Sequence, residues 1–280
     1  FAFNLSDFSL SILPAPKIYV RSKVLVIFYV EYQLCDFCYT YYYFYILKIP
    51  IDIVSINCLN PLESLKALDY STRNIEFNNS YLFTNEDLHS NKHQVIKIEK
   101  FKSIHEYSNF LLRIDDFIDS SHVLIIQDDG YVLNPGKWRD EFLDYDYIGA
   151  PWPNNYSWRK RWKNDEYLNA YKYSKINRVG NGGFSLRSKK FLKYSKQFKS
   201  TNQIPEDVFL CLIKYEESQN FNIKFAPFDI AYDFSLEVPL GGVRLKKELK
   251  KGSLNLNNHF GWHGRRFNNA DYLLGLKNNH

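Results

Sequence analysis

The period of the apolar positions becomes regular at about residue 51. Residues 51–57 (Ile-Asp-Ile-Val-Ser-Ile-Asn) read as a buried strand, and residues 61–70 as the helix that follows it. Residues 81–84 and 94–98 have the length and composition of short strands. Over residues 103–118, Ile104, Tyr107, Leu111, Ile114 and Ile118 recur at three- and four-residue steps, which predicts one apolar stripe on a helix. Residues 123–126 (Val-Leu-Ile-Ile) form a continuous apolar run, as expected of a central strand covered on both faces. Strands alternating with helices predict an α/β fold with a mostly parallel sheet flanked by helices. Beyond residue 130 the chain is rich in loops and glycine clusters, with a helix expected over residues 206–217. No internal repeat or linker is evident, so one domain is predicted over residues 51–270, with a tail at 271–280.

Residues 1–50 follow another pattern. Residues 24–30 are apolar and residues 37–47 are dense in Tyr, but Arg21, Lys23, Glu31, Asp36 and Lys48 interrupt them. No stretch reaches the roughly 18–20 apolar residues of a membrane-spanning helix. No small-residue cleavage site marks a signal peptide. An irregular N-terminal extension is predicted here, with residues 23–30 able to supply an edge strand. The expected location is the cytoplasm, with a membrane-peripheral role as the alternative. The chain starts at Phe1 and contains no Met, so a fragment of a longer protein is expected.

Composition changes this picture little. With 280 residues, 45% of them hydrophobic and 24% charged, the chain can bury a sizeable core and is no disordered polyelectrolyte. The net charge of +5 suits anionic ligands such as nucleotide diphosphates without requiring them. No nucleic-acid partner is expected. Cys35 and Cys38 form one C-x-x-C, but no second pair or suitably spaced histidines follow, so free thiols in a reducing compartment are expected instead of a zinc site.

Four segments carry candidate chemistry. Gln127-Asp128-Asp129-Gly130 directly follows the 123–126 strand, and ligands of open α/β sheets bind at the carboxyl ends of strands. Two adjacent carboxylates there repel each other unless a cation binds beside them, and a hard oxygen-seeking ion, Mg²⁺ or Mn²⁺, is the natural candidate. The plainer alternative is a turn with Gly130 at positive φ. Gly180, Asn181, Gly182 and Gly183 form a glycine loop that lets backbone approach a ligand closely, or else a turn before a strand. Its spacing fits neither a dinucleotide fingerprint nor a P-loop. Pro205-Glu206-Asp207 starts a helix, whose N-terminus is expected to keep both acids ionised; one of them can serve as general base. His259 and His263, four residues apart near the end of the chain, are candidates to close a metal site.

The order of these segments resembles that of the GT-A glycosyltransferases: an acidic D-x-D motif after a central strand, a glycine loop, an x-E-D motif at a helix start, then a C-terminal histidine. The longer segments HVLIIQDDGYVLNPGKW, FLDYDYIGAPW, VGNGGFSLR, PEDVF, FAPFDIAYDFSLE and FGWHG are similar to one family, catalogued as a domain of unknown function and grouped with GT-A enzymes. The resemblance spans roughly residues 50–265. It implies a nucleotide-sugar donor, a carbohydrate or other hydroxyl acceptor, and Mn²⁺ or Mg²⁺. Asp129 and His263 would hold the metal, with His259 in reserve. Asp128, Gln127, Gly182, Gly183, Asn181 and Trp152 would lie against the donor or its sugar. Asp207 would be the general base, or Glu206 if the helix is rotated. Gln127 departs from the pattern, since many relatives carry Asp or Glu there and an amide brings no charge. A metal-dependent phosphoesterase or nucleotidyltransferase and a catalytically silent sugar-binding protein are the rival readings.

Overall fold

The computed structural model describes residues 12–14, 18–20, 23–33, 39–152, 170, 172–237 and 258–264. The Cys35/Cys38 pair, the basic run at 159–163 and the tail at 271–280 lie outside the described residues. The chain divides into two compact units, one of Phe1–Ile49 with Asn74–Glu76 and one of Pro50–Arg73 with Phe77–His280.

In the first unit, strand β3 (Lys23–Gln33) is the centre of an antiparallel ladder. It pairs with β1 (Ile12–Pro14) at Ile12↔Val30, with β2 (Ile18–Val20) at Ile18↔Leu25, and with the start of β4 (Tyr39–Ile56) from Val26↔Ile46 to Gln33↔Tyr39. Strand β3 covers residues 23–30, expected to be able to form a strand, and β1, β2 and the start of β4 are strands where irregular chain was expected. The Val, Ile, Phe and Tyr content of these segments favours pleated pairing, and isolated charges do not break it.

The second unit is an α/β domain. Its sheet is ordered β6–β5–β4–β7–β10–β9, comprising β5 (Ile75–Thr84), β6 (Gln94–Lys97), β7 (His122–Ile126), β9 (Tyr147–Gly149) and β10 (Phe184–Ser188) as well as the end of β4. β4 and β7 run parallel from Asp52↔Val123 to Ser55↔Ile126, and β5 and β6 are also parallel. β10 inserts antiparallel between β7 and β9. Val123, Leu124, Ile125 and Ile126 are completely buried, as a doubly covered strand requires.

Helices α1 (Pro61–Ser71) and α2 (Ile104–Leu111) follow the first strands. Ser103 caps α2 by accepting the Glu106 N–H (3.3 Å), while the Glu106 carboxylate accepts the Lys102 N–H (2.6 Å), a variant of the capping box. The predicted stripe over 103–118 is one helix and then a 3₁₀ turn at Ile114–Phe117. Leu111, Ile114 and Ile118 join Val54, Ile56, Phe83, Val123 and Ile125 in the core, but Ile104 is 59% exposed.

Helix α3 (Lys189–Ser195) directly follows β10, and the helix expected over 206–217 is broken into α4 (Glu206–Val208), a π turn at Phe209–Ile213 and α5 (Tyr215–Asn220). The Lys214 N–H donates to the Phe209 carbonyl (2.8 Å), which closes the wide turn. Helix α6 (Phe228–Phe234) leads into a small second sheet in which β12 (Gly261–His263) lies between β11 (Ser235–Leu236) and β8 (Gly130–Val132). Among the described residues no helix is long and apolar enough to cross a membrane.

Candidate functional site

The acidic segment turns sharply at the carboxyl end of β7. The Gln127 N–H donates to the Gly183 carbonyl and the Gly130 N–H to the Gln127 carbonyl, both at 2.9 Å. Gly130 does not supply a positive φ; among the described glycines only Gly264 has one. Gly130 is required for a different reason, because a Cβ there would stand 2.8 Å from the Gly183 carbonyl oxygen.

His263 comes to this turn through strand register. β12 pairs antiparallel with β8 so that His263 faces Gly130, one residue beyond Asp129. The His263 Nε2 then lies 3.2 Å from Asp129 Oδ1 and 3.1 Å from Gln127 Oε1. Nδ1 lies 3.5 Å from Glu237 Oε1. Burial alone lowers the pKa of this imidazole, but the bonds to Asp129 and Glu237 outweigh it and push the value up to about 10. The acids beside it therefore favour the protonated form of this imidazole.

Gly183 makes room for that ring. A Cβ on Gly183 would stand 2.0 Å from His263 Nε2. Gly183→Ala is expected to displace His263 or to destabilise the fold by about 1–3 kcal/mol, the usual cost of overpacking a tight site. Urea unfolding together with a titration of His263 by NMR checks this. A variant of unchanged stability and unchanged imidazole environment would contradict the packing described.

The glycine loop also reaches the second acidic pair. The Gly182 N–H donates to Asp207 Oδ2 (3.1 Å), and Asp207 Oδ1 accepts the Val208 N–H (2.8 Å). Glu206 points elsewhere: it is buried and paired with both terminal nitrogens of the buried Arg187, Nη2 at 3.3 Å from Oε2 and Nη1 closer still to Oε1. Glu206 is thereby fixed in an ion pair, whereas Asp207 retains partial exposure. Burial and the neighbouring Glu206 charge push the Asp207 pKa up to about 7, against the two backbone N–H bonds that lower it. Burial thus opposes the full ionisation expected from the helix start. A three-residue α segment followed by a π turn has too little aligned dipole to offset that burial.

Asp128, Gln127 and Asp129 line one end of a cleft of about 490 Å³. Its other walls are the turn at residues 57–60 and the start of α2, including Lys102, Ser103, Ile104 and Tyr107. Asn57 shapes that turn, its Oδ1 accepting the Leu59 and Asn60 N–H groups at 2.8 Å each.

The structure therefore brings Gln127, Asp129 and His263 into one cluster beside Gly183, and Asp207, Glu206 and Gly182 into another. It does not bring in three other candidates. The His259 Nδ1 donates to the Tyr232 carbonyl (2.6 Å), so this histidine serves packing against α6. Asn181 is buried and its Oδ1 accepts the Gly183 N–H (3.0 Å), shaping the loop from within. Trp152 is buried, and its ring lies where a Cβ on Gly180 would stand 2.2 Å away. Tyr107, Arg187 and Glu237 belong to the site without having been expected there. Only the F-S-L-R ending of the glycine segment hinted at Arg187.

Among the described residues no group of three or more His, Cys, Asp and Glu side chains is arranged to hold a metal ion. A mixed donor set is present instead. Two ligands in adjacent positions on an octahedral ion with bonds of about 2.1 Å stand about 3.0 Å apart. The spacings of Asp129 Oδ1 and Gln127 Oε1 from His263 Nε2, 3.2 and 3.1 Å, match that edge. The three side chains are candidate donors to a divalent ion, one carboxylate, one imidazole and one amide oxygen, provided that the ion displaces the Nε2 proton that the neighbouring acids favour.

The profile of a family described as "Protein of unknown function (DUF5672)" matches residues 91–250. No curated protein matches the chain. Among solved structures, the chain is similar to mouse xyloside xylosyltransferase 1 in its apo form, at 10% identity and TM-score 0.45 over 78% of this chain and 98% of that one. It is also similar to the galactosyltransferase LgtC in complex with donor and acceptor sugar analogs, at 12% identity and TM-score 0.43 over 76% and 87%. A third likeness is to the apo form of the glycosyltransferase GlyE of Streptococcus pneumoniae TIGR4, at 10% identity and TM-score 0.40 over 77% and 54%.

Proposed function

The chain belongs to the DUF5672 family of proteins of unknown function, and from that premise and the geometry of its site we propose that it is a GT-A-like glycosyltransferase that moves a sugar from a nucleotide-sugar donor to a hydroxyl acceptor. The observation that carries the reading is the cleft that ends on Gln127, Asp128 and Asp129, with His263 held at ligand-edge distance from two of them. A donor diphosphate needs countercharge, and a nucleoside needs a partly apolar slot. The cleft offers the slot, with Ile56, Phe101 and Tyr107 on its walls, and a divalent ion held beside its acids would supply the countercharge.

Asp129, His263 and Gln127 would hold Mn²⁺ or Mg²⁺, and Asp128 would face the donor beside them. When bound, such an ion offsets the negative charge that builds on the departing nucleoside diphosphate. The chain's own residues do the rest. The glycine loop fixes Asp207 through the Gly182 N–H, and Asp207 takes the proton of the acceptor hydroxyl as the new glycosidic bond forms. A carboxylate pushed up to about pKa 7 suits that task better than an ordinary one, since it is a stronger base and still ionised in mildly alkaline solution. Glu206 does not compete for the role, because Arg187 occupies both its oxygens.

Asp129→Ala is expected to abolish Mn²⁺-dependent binding of nucleoside diphosphates, read by calorimetry with UDP, GDP and ADP in turn. Equal affinity with and without Mn²⁺ in both proteins would defeat the metal reading. A screen of nucleotide sugars for donor hydrolysis then identifies the donor, and hydrolysis of simple phosphoesters in its place would favour a phosphoesterase.

A further inference from the structure

Tyr107 lies on α2 at the wall of the cleft, 20 residues before Gln127 in sequence, and its hydroxyl accepts a hydrogen bond from Gln127 Nε2 at 3.1 Å. The other end of the same amide faces the cluster, with Oε1 at 3.1 Å from His263 Nε2. We propose that Tyr107 is a positioning residue that fixes the Gln127 amide with its oxygen, and not its NH₂, turned toward His263 and Asp129. The inference rests on the metal site proposed above.

The physical need arises from the amide itself. A carboxylate presents an oxygen whichever way it is rotated, so an acid at this position requires no orienting partner. An amide has one end that can bind a cation and one that repels it. Turning Oε1 inward sends the NH₂ toward the α2 side, where it is left unsatisfied unless an acceptor stands there. The Tyr107 oxygen is that acceptor. The ring is held in turn, edge to face, by Phe101 at 6.1 Å. Tyr107 thus supplies through geometry what the missing acid would have supplied through charge.

The test is Mn²⁺ affinity, measured from the electron paramagnetic resonance signal of free Mn²⁺, in four proteins: wild type, Tyr107→Phe, Gln127→Glu, and the double variant. Phe keeps the ring and its packing on Phe101 and removes only the hydroxyl. Tyr107→Phe is expected to weaken Mn²⁺ binding by roughly tenfold or more, the scale of losing a partner that orients a metal ligand. Gln127→Glu is expected to bind Mn²⁺ more tightly than wild type. In that background Tyr107→Phe is expected to change the affinity by no more than about twofold, because a carboxylate needs no orientation. Equal affinity of wild type and Tyr107→Phe overturns the proposal. So does an equal loss in both backgrounds, which is what a general loosening of α2 would give. If the wild type binds no Mn²⁺ while remaining folded, the metal reading itself fails and the role of Tyr107 falls with it.

Discussion

Asp207→Asn is expected to leave nucleoside diphosphate affinity within about threefold and to lower sugar transfer by roughly 10²-fold or more, the scale of losing a general base. Asn keeps the size of the side chain and can still accept one of the two backbone N–H bonds that Gly182 and Val208 make to Asp207. What it loses is the ability to take a proton. The pH profile gives an independent reading. A base must be unprotonated to act, so with a carboxyl at about 7 the wild-type rate is expected to fall as the pH drops through 7 and to level off above it. The residual activity of Asp207→Asn should lack that limb. Glu206→Gln separates the neighbours: it keeps the base but removes the charge that helps to raise the Asp207 pKa, so its limb should move to lower pH. Full transfer activity in Asp207→Asn, measured with the identified donor, would eliminate Asp207 as the base.

What the sequence makes legible here depends on how far apart the cooperating residues lie. β7 and the acidic turn after it are read from eight consecutive residues, four of them apolar, and the structure places them so. The start of α2 is fixed by Ser103 and Glu106, a cap that the apolar period over 103–118 does not reveal. Ile104 shares the predicted stripe yet is exposed, because the stripe gives only the period of a face, and a helix end that reaches a cleft leaves part of that face uncovered. His263 and Gln127 meet across 136 residues, and that contact is set by the β8–β12 register, which no local pattern encodes. The same holds for His259, four residues earlier, which leaves the site because its segment precedes the strand. Tyr107 counted only as an apolar member of a stripe, since nothing nearby in sequence reveals that its hydroxyl meets an amide. Gln127 read as a weakness in a metal motif, and only the contact with Tyr107 shows how an amide can be held in one orientation.

Arg187 is the residue whose loss is expected to cost most in stability. It lies on β10 between β7 and β9 and is completely buried. Its Nε donates to Ser185 Oγ (3.0 Å), its terminal nitrogens hold Glu206, and the guanidinium lies 5.3 Å from the centre of the Tyr147 ring. Forming such a pair adds little net stability, because removing two charges from water offsets most of their attraction. Breaking it is another matter. Arg187→Ala strands the buried Glu206 carboxylate beside Asp207, with no cation left between the β10 strand and the two acids. The expected loss is about 3–5 kcal/mol, the range for removing one partner of a buried ion pair. Urea unfolding at neutral pH measures it. The double variant Arg187→Met with Glu206→Leu separates charge from packing. Replacing both partners with apolar side chains of similar length leaves no charge to strand, so it should be markedly more stable than Arg187→Ala despite carrying one more substitution. If the double variant is as unstable as Arg187→Ala, the cost lies in lost packing against Tyr147 and not in an unpaired charge.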